Sequence, residues 1–379
     1  MSDRSISSLV VATGSGAPMR STRPKPIHLL CGRAMGSYVL DTLAEVGVRQ
    51  GVVVTGREGG RIAKRLLEDT PGFPVRFVEQ KVDRGTADAV LLGLSGFDDF
   101  NDDEDLLVVP ADLPLLWAGM VQQLLDTHRQ AGAACTVLSV DAESGNGFER
   151  VLRDRHGRVA AVRPLPDTPA AGDGLRVGRA RDEAEQAEIE ASTEAATGVY
   201  CVRRGLLAPA LRRATGDGRS GELRLASVVE VLATSGHACE SVVVEPAQDL
   251  RPVGSRVRLA EAEAEMRRRT NHYWLSMGVT MVDPERTYID TTVRLGTDVT
   301  LFPGTILQGT TNIGDGCELG PDVRLDRCTV GANTRIEQAT ATLAAIGHDC
   351  TVGPYAVLHP GSDLPPNTAT GAFYAGGTP

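Results

Sequence analysis

Val10–His28 reads VVATGSGAPMRSTRPKPIH. An apolar run breaks at Gly14 and Gly16, and a lysine, Lys25, follows between two prolines. Glycines directly after a strand let the backbone turn tightly and aim N–H groups at a phosphate. A glycine pair alone is weak evidence, but with a lysine downstream to counter phosphate charge it points to a nucleotide. A second candidate is Asp112 in VVPADLPL, straight after another apolar run. By itself an aspartate just past a buried strand reads as a capping residue, and its place there lets it converge with Gly14. The acidic run FDDFNDDED, Phe97–Asp105, reads as a solvated loop before a strand rather than a metal site.

The elements that must position these groups follow from hydrophobic periodicity. Short apolar strands are expected at Ser8–Thr13, Gly51–Thr55, Val75–Glu79, Leu106–Pro110, Ala134–Val140 and Gly198–Val202. Helix-period stretches lie between the first of them, with Met35, Val39, Leu43 and Val46 on one face and Ile62 and Leu66 on another. Strands spaced by helices predict an α/β fold with a largely parallel sheet, and ligands then sit at the carboxyl ends of the strands. Gly14 and Asp112 both leave such ends. Residues 166–196 are polar and poor in core material, and read as an inserted loop or short helix. Arg256–Leu275 reads as one helix, polar on most sides, with Glu263–Arg267 and Glu265–Arg269 as i,i+4 pairs.

Beyond that helix the period changes. Ile289, Leu295, Leu301, Leu307, Ile313, Leu319 and Leu325 recur at every sixth residue. Val330 and Ile336 follow after a one-residue slip, and Ile346, Val352, Leu358 and Leu364 form a second register. A six-residue period fits a β-helix whose coils each have three short faces.

The chain has 379 residues, enough for two domains, and a net charge of -10, which gives no long-range pull on nucleic acid or anionic membrane. An anionic small substrate would need a local cationic pocket. Seven cysteines, an odd number without a CxxC pair, read as reduced thiols packed as small apolar groups. The N-terminal apolar run is too short for a signal peptide, and no stretch approaches 18 apolar residues, so a cytoplasmic protein is expected.

Several segments occur in an order that resembles a known family: PKPIHLLCGRAM, RGTADAV, ADLPLL, NGFERVLRD and RVRLAEAEAEMRRR, with MGVTMVDPERTYID after the last. They are similar to the bifunctional N-acetylglucosamine-1-phosphate uridylyltransferase / glucosamine-1-phosphate acetyltransferase family. The resemblance implies a Rossmann-like nucleotidyltransferase domain over 1–254, a helical arm over 255–277 and a short left-handed parallel β-helix over 278–379. It implies that Gly14, Gly16 and Lys25 bind nucleotide phosphates, that Gln80, Gly85 and Thr86 recognise uracil, and that Asp112 binds magnesium or manganese. Lys25 and Asp112 are then the catalytic candidates. The implied partners are a nucleoside triphosphate, UTP, a phosphorylated small molecule, and two further copies of the chain in a homotrimer.

The same resemblance exposes departures. The family's LAAGxGTRM is VATGSGAPM here, with Ala17 before it and Pro18 in place of the catalytic arginine. The second metal ligand, an Asn in VNxR, becomes Gly254 in PVGSR, with Asp249 as a nearby substitute. In the sugar pocket, GYGR becomes GFER with Glu149, a glutamate becomes Pro164, and the Asn of NTG becomes Ala196. A site that loses its hydrogen-bonding partners rejects the ligand they served, so an acceptor other than N-acetylglucosamine 1-phosphate is expected. The chain ends soon after VGPYAVLHPGS, with His359 where the family has a phosphate-binding arginine, so acetyl transfer is not expected and His348 and His359 read as turn residues. Two readings remain: a diverged nucleotidyltransferase that releases pyrophosphate, or a catalytically silent nucleotide-binding paralogue.

Overall fold

The computed structural model describes residues 4–14, 17–82, 84–98, 103–143, 149–165, 183–214 and 224–377. Gly16 lies outside the described residues. The chain divides into two compact units, Met1–His28 with Ala34–Leu259, and Leu29–Arg33 with Ala260–Pro379.

In chain order the strands and helices up to residue 276 are β1 (Ile6–Ala12), the short pair β2 (Leu29–Leu30) and β3 (Arg33–Ala34), α1 (Met35–Glu45), β4 (Gln50–Thr55), α2 (Gly59–Asp69), β5 (Val75–Glu79), α3 (Thr86–Leu94), β6 (Asp105–Pro110), α4 (Ala118–Gln130), β7 (Cys135–Asp141), β8 (Glu149–Arg153), β9 (Val159–Arg163), α5 (Glu183–Ala191), β10 (Glu194–Arg203), α6 (Arg204–Arg213), α7 (Ser227–Thr234), β11 (Cys239–Val243) and α8 (Arg256–Ser276). The main sheet of the first unit runs β11-β7-β10-β6-β1-β4-β5. Neighbouring residues of one strand feed opposite faces: Val10, Val53 and Leu107 join the core with α1 and α4, whereas Leu9, Val52 and Leu106 join the one with α3, α6 and α7. Burial on both faces is why these strands read as unbroken apolar runs.

The sheet departs from the parallel expectation on one side. β1, β4, β5 and β6 are parallel, but β10 is antiparallel to β6 and β7, and β8–β9 is an antiparallel hairpin beside β10. The β8–β9 link is a tight turn, with Gly157 at φ 77 and its N–H bonded to the Asp154 carbonyl, so no crossover helix is needed.

Two expectations are corrected here. The acidic run is not simply solvated: Asp98 pairs with Arg76 on the surface, but Glu104 and Asp105 are buried at 2% and 0% exposure. Arg204 holds Glu104 at 2.8 Å, while Arg4 and Arg129 hold Asp105 at 3.1 and 3.0 Å. Alternating charge and burial at the start of β6 conceals this from a reading of composition. Of the stretch 166–196, residues 166–182 lie outside the described residues, 183–191 form α5, and 194–196 already belong to β10.

In the second unit, two- and three-residue strands from Thr280 to Gly376 stack into three parallel sheets of five, six and five strands, the three faces of a left-handed β-helix. Ile289, Leu301, Leu307, Ile313, Leu319, Leu325, Val330, Ile336, Ile346, Val352, Leu358 and Leu364 all point inward, and Leu295 is half-buried. The two registers are one. Ala341, 2% exposed, fills the missing rung and stacks between Leu325 and Leu358. Five-residue steps around it replace six-residue ones, and the shortened turns pass through left-handed Arg327, Gln338 and Leu343. All seven cysteines are buried and free. Among the described residues no helix is long and apolar enough to cross a membrane.

Candidate active site

The parallel strands β1, β4, β5 and β6 end along one edge of the sheet, and four segments leave it. The exits of β1 and β4 touch: a Cβ on Gly56 would stand 2.8 Å from the Thr13 carbonyl oxygen. The Gln80 N–H, past β5, donates to the Thr55 carbonyl at 2.7 Å, and the Ala111 N–H, past β6, donates to the Val11 carbonyl at 2.9 Å. Gly14, Gln80 and Asp112 thus share one rim.

Lys25 reaches this rim from a single 3-10 turn, Lys25–Ile27, entered through Pro24. Prolines on both sides of Lys25 restrict its backbone, and Pro26 and Ile27 are buried anchors. Lys25 Nζ lies 2.6 Å from Asp112 Oδ2, and each side chain is 13% exposed. A Cβ on Gly14 would come within 2.9 Å of Lys25 Cε, so these three residues form one cluster. The Val253 N–H donates to the Asp112 carbonyl at 2.9 Å and brings Gly254 beside it. A Cβ on Gly254 would meet nothing within 4 Å. Asp249 is buried in the short turn Ala247–Leu250 upstream. Arg256 Nε donates to the Met19 carbonyl at 3.2 Å, which brings a guanidinium to the end of the loop that carries Pro18. His28 is buried, and burial, Arg256 and Arg23 together push its pKa down, so its imidazole is neutral at pH 7.

Past β5, Gln80 is 4% exposed. Its Nε2 donates to Asp88 Oδ2 at 2.9 Å and faces the Gly85 carbonyl at 3.5 Å. Gly85 caps α3 with φ 95 and ψ 174, a conformation that essentially only glycine adopts. Thr86 Oγ1 accepts the Leu225 N–H at 3.0 Å.

The three remaining expected positions fall in one row. Glu149 of β8 is the ladder partner of Ala196 in β10. The β8–β9 ladder ends at Arg150 opposite Arg163, so Glu149 and Pro164 are the residues that adjoin that last pair. Beyond Ala196 the β10 ladder shifts register through Gly198 at φ 86, whose Cβ would stand 3.3 Å from Pro110 Cγ at the end of β6. The row therefore abuts the strand that delivers Asp112. The Glu149 carboxylate pairs with the Arg224 guanidinium, and the residue after Arg224 bonds Thr86. Burial pulls the Arg224 pKa down to about 10.

Comparison with known proteins accounts for this layout. Residues 8–268 match the MobA-like NTP transferase domain. The Bifunctional protein GlmU of Mycobacterium bovis is 35% identical over 369 residues, 96% of this chain and 70% of that protein. The GlmU of Streptomyces avermitilis is 34% identical over 365 residues (96% and 72%), and that of Caldanaerobacter subterraneus 32% over 356 (94% and 72%). The chain belongs to the GlmU family. Its first unit is a nucleotidyltransferase domain.

Against that GlmU background, three residues that sequence reading did not single out now stand at the rim. Asp88 sits eight residues beyond Gln80, in the first turn of α3, and that spacing was the available signal. Arg224 meets Glu149 across 75 positions, which no local pattern announces. Arg256 opens α8 and reads as surface charge on a polar helix, yet it contacts the β1 exit loop.

Proposed function

We propose that this GlmU-family chain joins a nucleotide to a phosphorylated small molecule other than N-acetylglucosamine 1-phosphate and releases pyrophosphate. The observation that carries the reading is the Lys25–Asp112 contact beside Gly14, on the rim that also holds Gln80 and Gly85. The substrate phosphate oxygen attacks the nucleotide α-phosphorus in line, and pyrophosphate leaves. Lys25 binds the nucleotide phosphates, with Gly14 allowing close backbone approach and the Arg256 guanidinium supplying positive charge nearby. Asp112 fits a divalent cation, magnesium or manganese. It offers one carboxylate at a site where phosphate oxygens complete the shell, the arrangement magnesium favours; such a cation, when bound, neutralises phosphate charge. No His/Cys/Asp/Glu cluster of three among the described residues forms an all-protein cage. Gln80, Gly85 and Thr86 take the base, uracil in this reading.

The second reading is a silent paralogue that binds nucleotide without turnover. Pro18 and Gly254 favour it, since neither brings the charge or oxygen ligand the reaction uses. One experiment separates both readings from neither. UTP with magnesium should raise the melting temperature by mass action, and Lys25→Ala and Asp112→Ala should each shrink the shift. Absence of a shift at millimolar UTP sinks both readings; a shift without pyrophosphate release across a panel of phosphorylated acceptors leaves the silent one.

Acetyl transfer has no part in the proposal: His348 is an exposed turn residue paired with Asp349, and His359 is half-buried. We further propose a homotrimer assembled through residues 278–379 in the cytoplasm. Exposed apolar side chains on the β-helix support it, among them Val282, Tyr288, Leu343, Tyr355, Val357 and Phe373. Light scattering coupled to size exclusion is expected to give about three times the 40.1 kDa chain mass. A monomer at tens of micromolar would refute the trimer.

A further inference from the structure

The contacts of Gln80 decide which of its two amide atoms is offered to a base, an inference that rests on the nucleotide reading above. Nε2 faces Asp88 Oδ2 at 2.9 Å and the Gly85 carbonyl oxygen at 3.5 Å. A carboxylate and a carbonyl accept hydrogen bonds and have no hydrogen to give. An amide turned over would set its oxygen against two oxygens, in a residue only 4% exposed. The partners, rather than an arbitrary assignment, therefore orient the amide, and Oε1 is turned away from both. Glycine at residue 85 lets the backbone aim that carbonyl inward, and Asp88 in the first turn of α3 supplies the stronger, charge-assisted partner.

We propose that Asp88 is a positioning residue for base selection. By holding one Nε2 hydrogen at 2.9 Å while the Gly85 carbonyl faces the other at 3.5 Å, it leaves Gln80 to meet the base as an acceptor. Uracil and guanine carry a ring N–H on their pairing edge and satisfy that acceptor. Cytosine and adenine carry a bare ring nitrogen there, and two acceptors then face each other in a buried contact. A site built around one donor–acceptor pairing discriminates against a ligand that leaves it unpaired by about tenfold or more. The structural alternative is that Asp88 only favours the N-terminus of α3 through the helix dipole. That role affects stability and is blind to the base.

Binding of UTP, CTP, GTP and ATP with magnesium to the full chain, followed by titration calorimetry, tests the proposal. The parent should prefer UTP over CTP by about tenfold or more, with the GTP arm showing whether the pocket also has room for a purine. In Asp88→Asn the new amide presents either an oxygen or an N–H, so Gln80 is free to turn over. The UTP-to-CTP ratio should then fall toward one. Asp88→Glu keeps an acceptor-only partner and should retain a UTP preference. Asp88→Ser, whose hydroxyl can also donate, repeats the test if Asp88→Asn does not fold. An Asp88→Asn protein that keeps the parent ratio, or a parent that binds UTP and CTP alike, overturns the proposal while the nucleotide reading stands. A parent that binds no triphosphate overturns both.

Discussion

Replacing Pro18 with arginine should raise uridylyl transfer about a hundredfold, because one well-placed cation contributes about 3 kcal/mol to a transition state of this kind. Adding Gly254→Asn should raise it further. The Val253 N–H ties that segment to the Asp112 main-chain carbonyl, and a Cβ at residue 254 meets open space, so an asparagine fits there without displacing a neighbour. Pyrophosphate release with UTP, magnesium and a panel of phosphorylated acceptors measures the gain. A double variant that still binds UTP yet stays at the parent rate with every acceptor would show that phosphate charge is not what limits the site. The block would then lie in the row of Glu149, Pro164 and Ala196.

The largest expected loss of stability lies elsewhere, at Asp105→Asn. Asp105 is fully buried, with Arg129 at 3.0 Å, Arg4 at 3.1 Å and His128 at 3.6 Å. Breaking a buried ion pair by removing one partner costs about 3 kcal/mol or more, because the remaining cations lose their counter-charge. Chemical denaturation should show a lower midpoint with an unchanged slope. The same group governs the acid response. Burial alone would raise its pKa, but the Arg129 hydrogen bond, the nearby His128 ring at 3.6 Å and the charge of Arg4 outweigh burial and hold it at about 2. The folded value lies below the unfolded one of about 4. The contribution of about 2 kcal/mol is therefore complete above pH about 4 and disappears as pH falls toward about 2. Stability of the parent should drop through that window. A variant with asparagine at residue 105 should lack that part of the drop, and one that retains it would refute the assignment.

Much of this fold was legible because its signals are periodic. The six-residue rhythm from Ile289 to Leu364 announced the β-helix, and only Ala341 hid, since an alanine does not stand out in an aliphatic pattern. The parallel strands β1, β4 and β6 announced themselves as apolar runs, whereas the parallel strand β11, CESVV, did not. The antiparallel β8–β9 hairpin did not: its signal is a turn at Gly157, and the flanking strands mix charged with apolar residues. Glu104 and Asp105 were misjudged because burial of a carboxylate depends on cations supplied from residues 4, 129 and 204, which no window around position 105 contains. At the rim, Gly14, Lys25 and Asp112 stand out directly after apolar runs or between prolines, whereas Gln80 is marked only by the family resemblance. Asp88 and Arg224 are marked only by their contacts with Gln80 and Glu149, and such partnership is a property of the folded chain.

The pairing of Glu149 with Arg224 also bears on how such a site can change over generations. Glu149 stands in line with Pro164 and Ala196, and Arg224 is mostly buried. Replacing Glu149 alone removes one counter-charge from a mostly buried guanidinium, and replacing Arg224 alone removes the cation that faces the Glu149 carboxylate. Each single replacement is therefore expected to lower stability, and the double replacement to cost less than the sum of the two. The two positions are thus coupled across the fold, and what residue 149 can become depends on what stands at residue 224.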